Sequence, residues 1–341
     1  VIRLPAFLAV VIAMVLGLVA GSPARAVQQG VQQGEQDNED TGLRLLREAA
    51  AAARGRGYAG TQYVTTWGRS GSFSSVVEVH NVPGRGLSVR SRPSGTAGWV
   101  DPGAPAGSMT APSETMLEVL ARNYRVVEAG RTSTGGRAAR LVNVLRADGT
   151  LAARYWLDEA GGLALRRELF DGHGRTVHVG GFLDLTLDPA RGGAVAVPTP
   201  GGVDLGEVPA LMDLGWRFPT ELPGRLELFA AHTEPAGYLY LGYSDGLSVV
   251  SVFVDSGVLD GEKLRGWHAQ RRDGHTIWMR NSAEQGTIWA SGDHVYTVFA
   301  DAPADTVDAA VAALPHEPAP NLWNRLGRGA HRLLSWVNPF G

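Results

Sequence analysis

Two hydrophobic periods alternate along the chain. From Thr41 the spacing of Leu43, Leu46, Ala50 and Ala53 places apolar side chains on one helical stripe, with Thr41 set to cap it and Gly55 and Gly57 to end it. The period then falls to two, and Tyr58–Trp67 and Phe73–Val82 read as half-buried strands. Ser113 caps a second predicted helix, Glu114–Asn123, with Met116, Leu117 and Leu120 turned inward. Four strands follow: Arg137–Leu145 and Leu151–Leu157 joined through Asp148-Gly149, then Leu163–Phe170 and Arg175–Leu185 joined through Asp171-Gly172. Asp-Gly favours tight hairpins, because both central residues of a type I′ turn need positive φ. A helix-decorated, strongly curved antiparallel sheet is expected. The later chain repeats the style. Leu226–His232, Gly237–Tyr243, Leu247–Asp255, His275–Arg280, Gln285–Ala290 and His294–Phe299 alternate as strands. A last helix, Thr306–Leu314, buries Val307, Ala310, Val311 and Leu314 behind a cap at Asp301 or Asp305. No short-period repeat occurs, which disfavours a propeller or solenoid.

Composition narrows the classes. A chain of 341 residues with 44% apolar content has room for two cores and is too apolar for intrinsic disorder. Zero Cys excludes disulfides, thiol catalysis, iron–sulfur clusters and cysteine-linked lipid anchors together. Arg3, the apolar run Ala6–Ala20 and Ala24-Arg25-Ala26 have the order of a cleaved export signal over residues 1–26; an uncleaved anchor is the alternative. That run is short of the ~20 residues a spanning helix needs. Residues 27–41 form a polar, Gln-rich spacer expected to be disordered.

Charge then divides the rest. Gly42–Pro189 carries 18 Arg against 13 acids, a net of +5, whereas Leu211–Pro315 carries 7 bases against 14 acids, a net of −7. We therefore expect a first domain over 42–190, a Gly/Pro/Val-rich linker over 191–210, a second domain over 211–315 and a basic tail over 316–341. Such contrast bears on partners or on attraction between domains.

Most candidate chemistry is weak. Gly242-Tyr243-Ser244-Asp245-Gly246 matches the G-x-S-x-G elbow of serine hydrolases, which needs a strand-to-helix turn. Here a β-branched run follows, so a hairpin is the better reading and Ser244 a remote nucleophile. The nine His show no metal-ligand spacing, and Gly68-Arg69-Ser70-Gly71 lacks the Lys-Ser/Thr of a phosphate loop. No enzyme activity, metal or cofactor is expected. Nucleic acid is not expected either, since the Arg residues are scattered over strands. Trp67, Trp99 and Trp156 fall in or beside first-domain strands, where large aromatics either fill a curved sheet or line an apolar ligand cavity. In the tail, Leu322, Leu326, Leu333 and Val337 with Trp323 and Trp336 interleave with Arg325, Arg328 and Arg332. That basic amphipathic pattern suits a membrane surface, a partner groove or the acidic second domain.

One element is more specific. Tyr243-Ser244-Asp245-Gly246-Leu247, continuing to Phe253, resembles the "YSDGL…SVF" signature of the MucB/RseB family of sigma factor regulators. Gly215-Trp216, Leu222-Pro223-Gly224, Gly136–Leu141, Tyr155–Asp158 and Gly161-Gly162-Leu163 are similar to other family segments in the same order. The resemblance covers roughly Gly42–Pro315. It implies an α+β, mostly antiparallel fold: a large half-open β-barrel domain with helices, like the LolA-type lipoprotein carriers, and a smaller α/β C-terminal domain. It also implies an exported, extracytoplasmic regulator that binds the extracytoplasmic domain of a membrane anti-sigma factor and senses a lipidic envelope ligand. Tyr243–Leu247 would then touch the partner, and Trp67, Trp99 and Trp156 the lipid. A lipid or lipoprotein carrier without anti-sigma binding is the alternative.

Overall fold

Residues 39, 41–68, 71–91, 112–189, 208–214, 216–233, 237–272, 274–280 and 285–317 are described in a computed structural model. The segment of residues 1–26, Trp99, residues 191–207 of the expected linker and the tail residues Trp323, Arg325, Arg328, Arg332 and Trp336 lie outside them. The described chain forms two eight-stranded sheets, antiparallel in every pairing and not closed into barrels.

The first sheet holds β1 (Tyr58–Gly68), β2 (Gly71–Val82), β3 (Gly86–Ser91), β4 (Arg125–Thr134), β5 (Arg137–Leu145), β6 (Leu151–Asp158), β7 (Ala164–Phe170) and β8 (Thr176–Leu187). Their order is β3-β2-β1-β8-β7-β6-β5-β4. Two meanders therefore meet where β1 pairs with β8. Helices α1 (residues 41–55) and α2 (Glu114–Asn123) cover one face. Leu45, Leu46, Ala49 and Ala50 from α1 and Leu117 and Leu120 from α2 close over Val142, Val144, Ala153 and Leu157. Ser113 caps α2 as expected, accepting from the Met116 amide at 3.2 Å. Residue 39 is already helical, so Thr41 lies inside the first helix rather than at its cap.

The second sheet holds β9 (Glu221–Leu222), β10 (Leu226–Thr233), β11 (Leu239–Ser244), β12 (Val249–Ser256), β13 (His268–Arg272), β14 (His275–Arg280), β15 (Gln285–Ser291) and β16 (His294–Asp301). The order β13-β14-β15-β16-β12-β11-β10-β9 again joins two meanders, here through β12 and β16. Helices α3 (Val208–Asp213) and α4 (Ala304–Ala313) pack on one face, with Leu211, Val307, Ala310 and Val311 over Leu241, Val252, Trp289 and Val298.

Two turn expectations shift. The left-handed residues of the first-sheet hairpins are Gly149 (φ 83°) and Gly174 (φ 74°), while neither Asp148 nor Gly172 has positive φ. In both hairpins a carbonyl accepts from the glycine amide three residues on, Arg146 from Gly149 and Asp171 from Gly174. These are type I turns closed by a left-handed glycine, not two-residue type I′ turns. Asp301 does not cap the last helix either. It ends β16, and Pro303 occupies the cap without a side-chain bond.

Candidate functional site at the junction of the two sheets

The loop between β11 and β12 is Asp245-Gly246-Leu247-Ser248. Its shape follows from local chemistry. Asp245 Oδ1 accepts from the amides of Leu247 (2.9 Å) and Ser248 (2.6 Å), and Ser244 Oγ accepts from the Gly246 amide (2.9 Å). Short polar side chains thereby satisfy a turn that is itself buried. Gly246 has φ 94°, and a Cβ there would stand 2.4 Å from the Cα and N of Leu120 in α2. Only glycine fits both the backbone and the approach. The next residue, Leu247, is 4% exposed and packs in the core of the first sheet with Leu117, Leu120 and Leu169. One half of the chain is thus plugged into the other.

Polar groups surround the plug. Asn123 Nδ2 donates to the Asp245 carbonyl at 3.1 Å, and Tyr124 OH to Asp245 Oδ2 at 2.6 Å. Burial, then the neighbouring Asp245 carboxylate, push the Tyr124 phenol far above its ordinary range, so it stays a donor. Beyond Leu247, Arg167 reaches across from β7: Nη1 is 3.0 Å from Asp301 Oδ2, and Nη2 donates to the Leu247 carbonyl. His178 Nδ1 lies 3.0 Å from Asp301 Oδ1 and 3.2 Å from Thr66 Oγ1. Burial by itself raises the Asp301 pKa, yet His178 and Arg167 outweigh it and hold the carboxyl far below the usual carboxylate range. An exposed pair, Arg122 with Glu227 at 2.6 Å, closes the rim. Replacing Tyr124 with Phe should remove about 1–2 kcal/mol of stability, because Asp245 stays buried with one acceptor oxygen unmet. Urea unfolding of the two proteins side by side checks this.

The serine of the G-x-S-x-G match is no nucleophile in this setting. Ser244 is 0% exposed, sits between two strands and donates its hydroxyl hydrogen to the Ser248 carbonyl at 2.8 Å. Tyr243 is equally buried, its hydroxyl donating to the Pro219 carbonyl at 2.8 Å. All of Tyr243, Ser244, Asp245, Gly246 and Leu247 therefore face inward, and none is presented to a partner in this arrangement.

The tryptophans are not brought together. Cross-strand register places Trp156, Arg166, Gly181, Tyr63 and Val76 in one row. The alternate residues, such as Val142 on β5, face the helices. Trp67 shares the Trp156 face, because it follows Tyr63 by four residues along β1. Both tryptophans thus point away from the helix-covered side, three strands apart, roughly 14 Å at ordinary strand spacing. Trp156 lies between two guanidinium groups instead, Arg154 at 5.9 Å and Arg166 at 5.3 Å from its ring. A concavity of about 470 Å³ does occur beside Arg137, Ala138 and Asp158. Its charges are spent, since Arg137 forms a two-pronged bond to Asp158 at 2.9 Å on each prong. Among the described residues no cluster of three His, Asp or Glu could hold a metal, and no helix is long and apolar enough to cross a membrane.

Residues 93–205 match the model of the MucB/RseB N-terminal domain. Over those residues the chain is similar to the MucB/RseB N-terminal domain. That MucB/RseB segment takes in α2 and β4–β8, and with them Asn123, Tyr124, Arg167 and His178 of the junction. The chain is also similar to solved structures of MucB. One of the Pseudomonas aeruginosa MucA/MucB complex is 19% identical, with 82% of this chain and 100% of that chain covered and a TM-score of 0.45. A structure of MucB alone is 19% identical over 82% and 98%, with a TM-score of 0.47. A lipoprotein-sorting protein domain from Vibrio parahaemolyticus is 12% identical over 51% and 99%, with a TM-score of 0.22. No curated protein matches the chain in sequence.

Of the junction residues Asn123, Tyr124, Arg167 and His178, three carried no flag in the sequence. One was visible. Arg167 stands between Leu165 and Leu169 on the inward side of β7, a charge where the alternation demands an apolar group.

Proposed function

We propose that the chain is an exported, non-enzymatic regulator of an extracytoplasmic-function sigma factor pathway, acting by binding the extracytoplasmic domain of a membrane anti-sigma factor. The match of residues 93–205 to the MucB/RseB N-terminal domain carries this reading. The spent hydroxyl of Ser244 supports a binding protein over a hydrolase. The reading includes an export signal over residues 1–26 and two domains, 42–190 and 211–315, with the Tyr243–Leu247 loop as their latch. A partner that engages this loop must first draw Leu247 out of the first sheet, so binding and separation of the two sheets would be coupled.

Titration calorimetry with the extracytoplasmic domain of an anti-sigma factor encoded beside this gene tests the proposal. A complex with Kd of about 1 μM or tighter, worth about −8 kcal/mol, is expected. Absence of heat and of co-elution with two such domains would overturn it.

A further inference from the structure

The second sheet has a face that neither of its helices covers. Along it, register aligns Tyr240, Phe253, Thr297, Ile288 and Trp278 in one row, and Gly242, Ser251, Phe299 and Gly286 in the next. The residues that alternate with these, including Leu241, Val252, Val298 and Trp289, are the ones packed with α3 and α4. The aromatic rings touch one another: Tyr240 and Tyr238 lie 5.2 and 5.7 Å from Phe253, and Phe299 lies 6.1 Å from it. They remain only half-buried.

Two walls turn the face into a groove. At one end Asp301 and the Ser244–Leu247 loop meet the first sheet. Toward the β13 edge the crossover between β12 and β13 folds back over the face. Gly261 approaches Trp278 so closely that a Cβ would stand 2.8 Å from its ring, and Trp267 lies over Gly286, where a Cβ would meet it at 3.0 Å. The groove is also acidic at one end. Asp255 and Glu262 are exposed there with Asp260 between them, while Lys263 and the exposed Arg265 follow on the same crossover, and Val258 is 74% exposed.

The chain leaves the described structure beside that acidic end. The Gly292 amide donates to the Glu317 carbonyl at 3.1 Å, and the Glu317 amide to Ser291 Oγ at 2.8 Å, fixing residue 317 to the β15–β16 hairpin. Asp293 of the same hairpin accepts from the Gly257 amide, at the start of the crossover, at 2.9 Å. The 24 residues that follow, 318–341, contain three Arg and no acid. At helical spacing Leu322, Leu326, Leu333 and Val337 share one stripe, with Arg325, Arg328 and Arg332 on another. A helix over 321–338, between Pro320 and Pro339, would reach about 27 Å, slightly more than the roughly 24 Å spanned by six strands.

We propose that residues 318–341 dock in this groove, laying the Leu/Trp stripe on Phe253, Tyr240 and Phe299 and the arginines against Asp255 and Glu262. The segment begins at the β15–β16 hairpin, after passing Trp289 on the helix-covered side, where Trp289 Nε1 donates to the Pro315 carbonyl at 3.0 Å; it carries positive charge and supplies an apolar face to match an aromatic one. The contact lies within one chain and stands apart from the anti-sigma reading. It makes the tail an internal competitor for any other occupant of the groove.

The absence of native cysteine allows a direct test in the full chain. Thr297→Cys, on the groove floor, is combined in turn with Leu322→Cys, Leu326→Cys and Leu333→Cys. Under mild oxidation at least one pair should form an intrachain disulfide roughly tenfold faster than the same tail cysteine paired with Ser74→Cys on the first sheet, because docking raises effective concentration above that of a free tether. Mobility on non-reducing gels reads the result. Equal rates at Thr297→Cys and Ser74→Cys for all three tail positions would overturn the proposal. So would disulfides between chains alone, which would place a second copy in the groove. Tail cysteines shielded from maleimide only when phosphatidylglycerol vesicles are added would also overturn it, making the tail a membrane foot.

Discussion

Gly246→Ala should destabilise the protein by about 3 kcal/mol or more, because positive φ and a close backbone approach coincide there. Holding a non-glycine residue at positive φ costs about 1–3 kcal/mol. At Gly246 the added carbon also falls 2.4 Å from the backbone of Leu120, which belongs to a helix and cannot swing aside as a side-chain tip would. The loop must therefore retreat and take Leu247 with it. Burying a leucine fully is worth about 1.5–3 kcal/mol, and that contribution is at risk as well. Gly149→Ala is the matched control. Its φ is 83° and a Cβ there meets nothing within 4 Å, so only the backbone cost should appear. Urea midpoints of the two variants against the parent decide the matter. Equal losses at both positions would remove the close approach from the account.

The second large effect is expected at Arg167. Truncating it to Ala leaves Asp301 Oδ2 without its guanidinium partner, with His178 alone at 3.0 Å from Oδ1, and leaves the Leu247 carbonyl without a donor. Breaking a buried pair from one side costs about 3–5 kcal/mol, because the remaining charge keeps its desolvation penalty. Asp301→Asn alone should cost less, since Arg167 retains the Leu247 carbonyl. Arg167→Ala with Asp301→Asn should lose less than the two single losses added, and a double-mutant cycle measures that difference. Additive losses would mean that the two side chains do not depend on each other.

Much of the fold was legible from alternation, and the failures have physical causes. The hairpin strands between Arg137 and Leu185 and most of the second sheet show alternating apolar positions, cleanest in β7, where every second side chain is buried, and that alternation sets which face turns inward. β4 escaped because a bulge between Glu128 and Gly130 reverses its alternation halfway, and the residues beyond are exposed. β3 and β13 are short edge strands with little to bury. The junction was harder to see. Asn123 and Tyr124 meet Asp245 across more than 120 residues, a relation no local pattern records. Tyr243–Leu247 stood out for its residues, but its setting between the two cores needed three dimensions. An acid before an apolar stripe is the usual sign of a helix cap, and Asp301 fits that pattern in the sequence. In the fold that acid answers Arg167.

The way the first sheet is zipped also sets an order of assembly. β4 to β8 are joined by short hairpins, so each strand finds its partner within a few residues. β1 must wait for β8, as when the Thr61 amide meets the Asp184 carboxylate 123 positions later. During synthesis β1, β2 and β3 emerge first and can pair only among themselves, leaving the β1 edge that belongs to β8 open until nearly 190 residues have appeared. Pairings of such separation form slowly, since loop closure precedes any gain from contact. The nascent chain therefore carries one unsatisfied strand edge from the completion of β1 at Gly68 to that of β8 at Leu187, about a third of its growth, and a chaperone that shields extended apolar edges would serve this protein best before its second sheet exists.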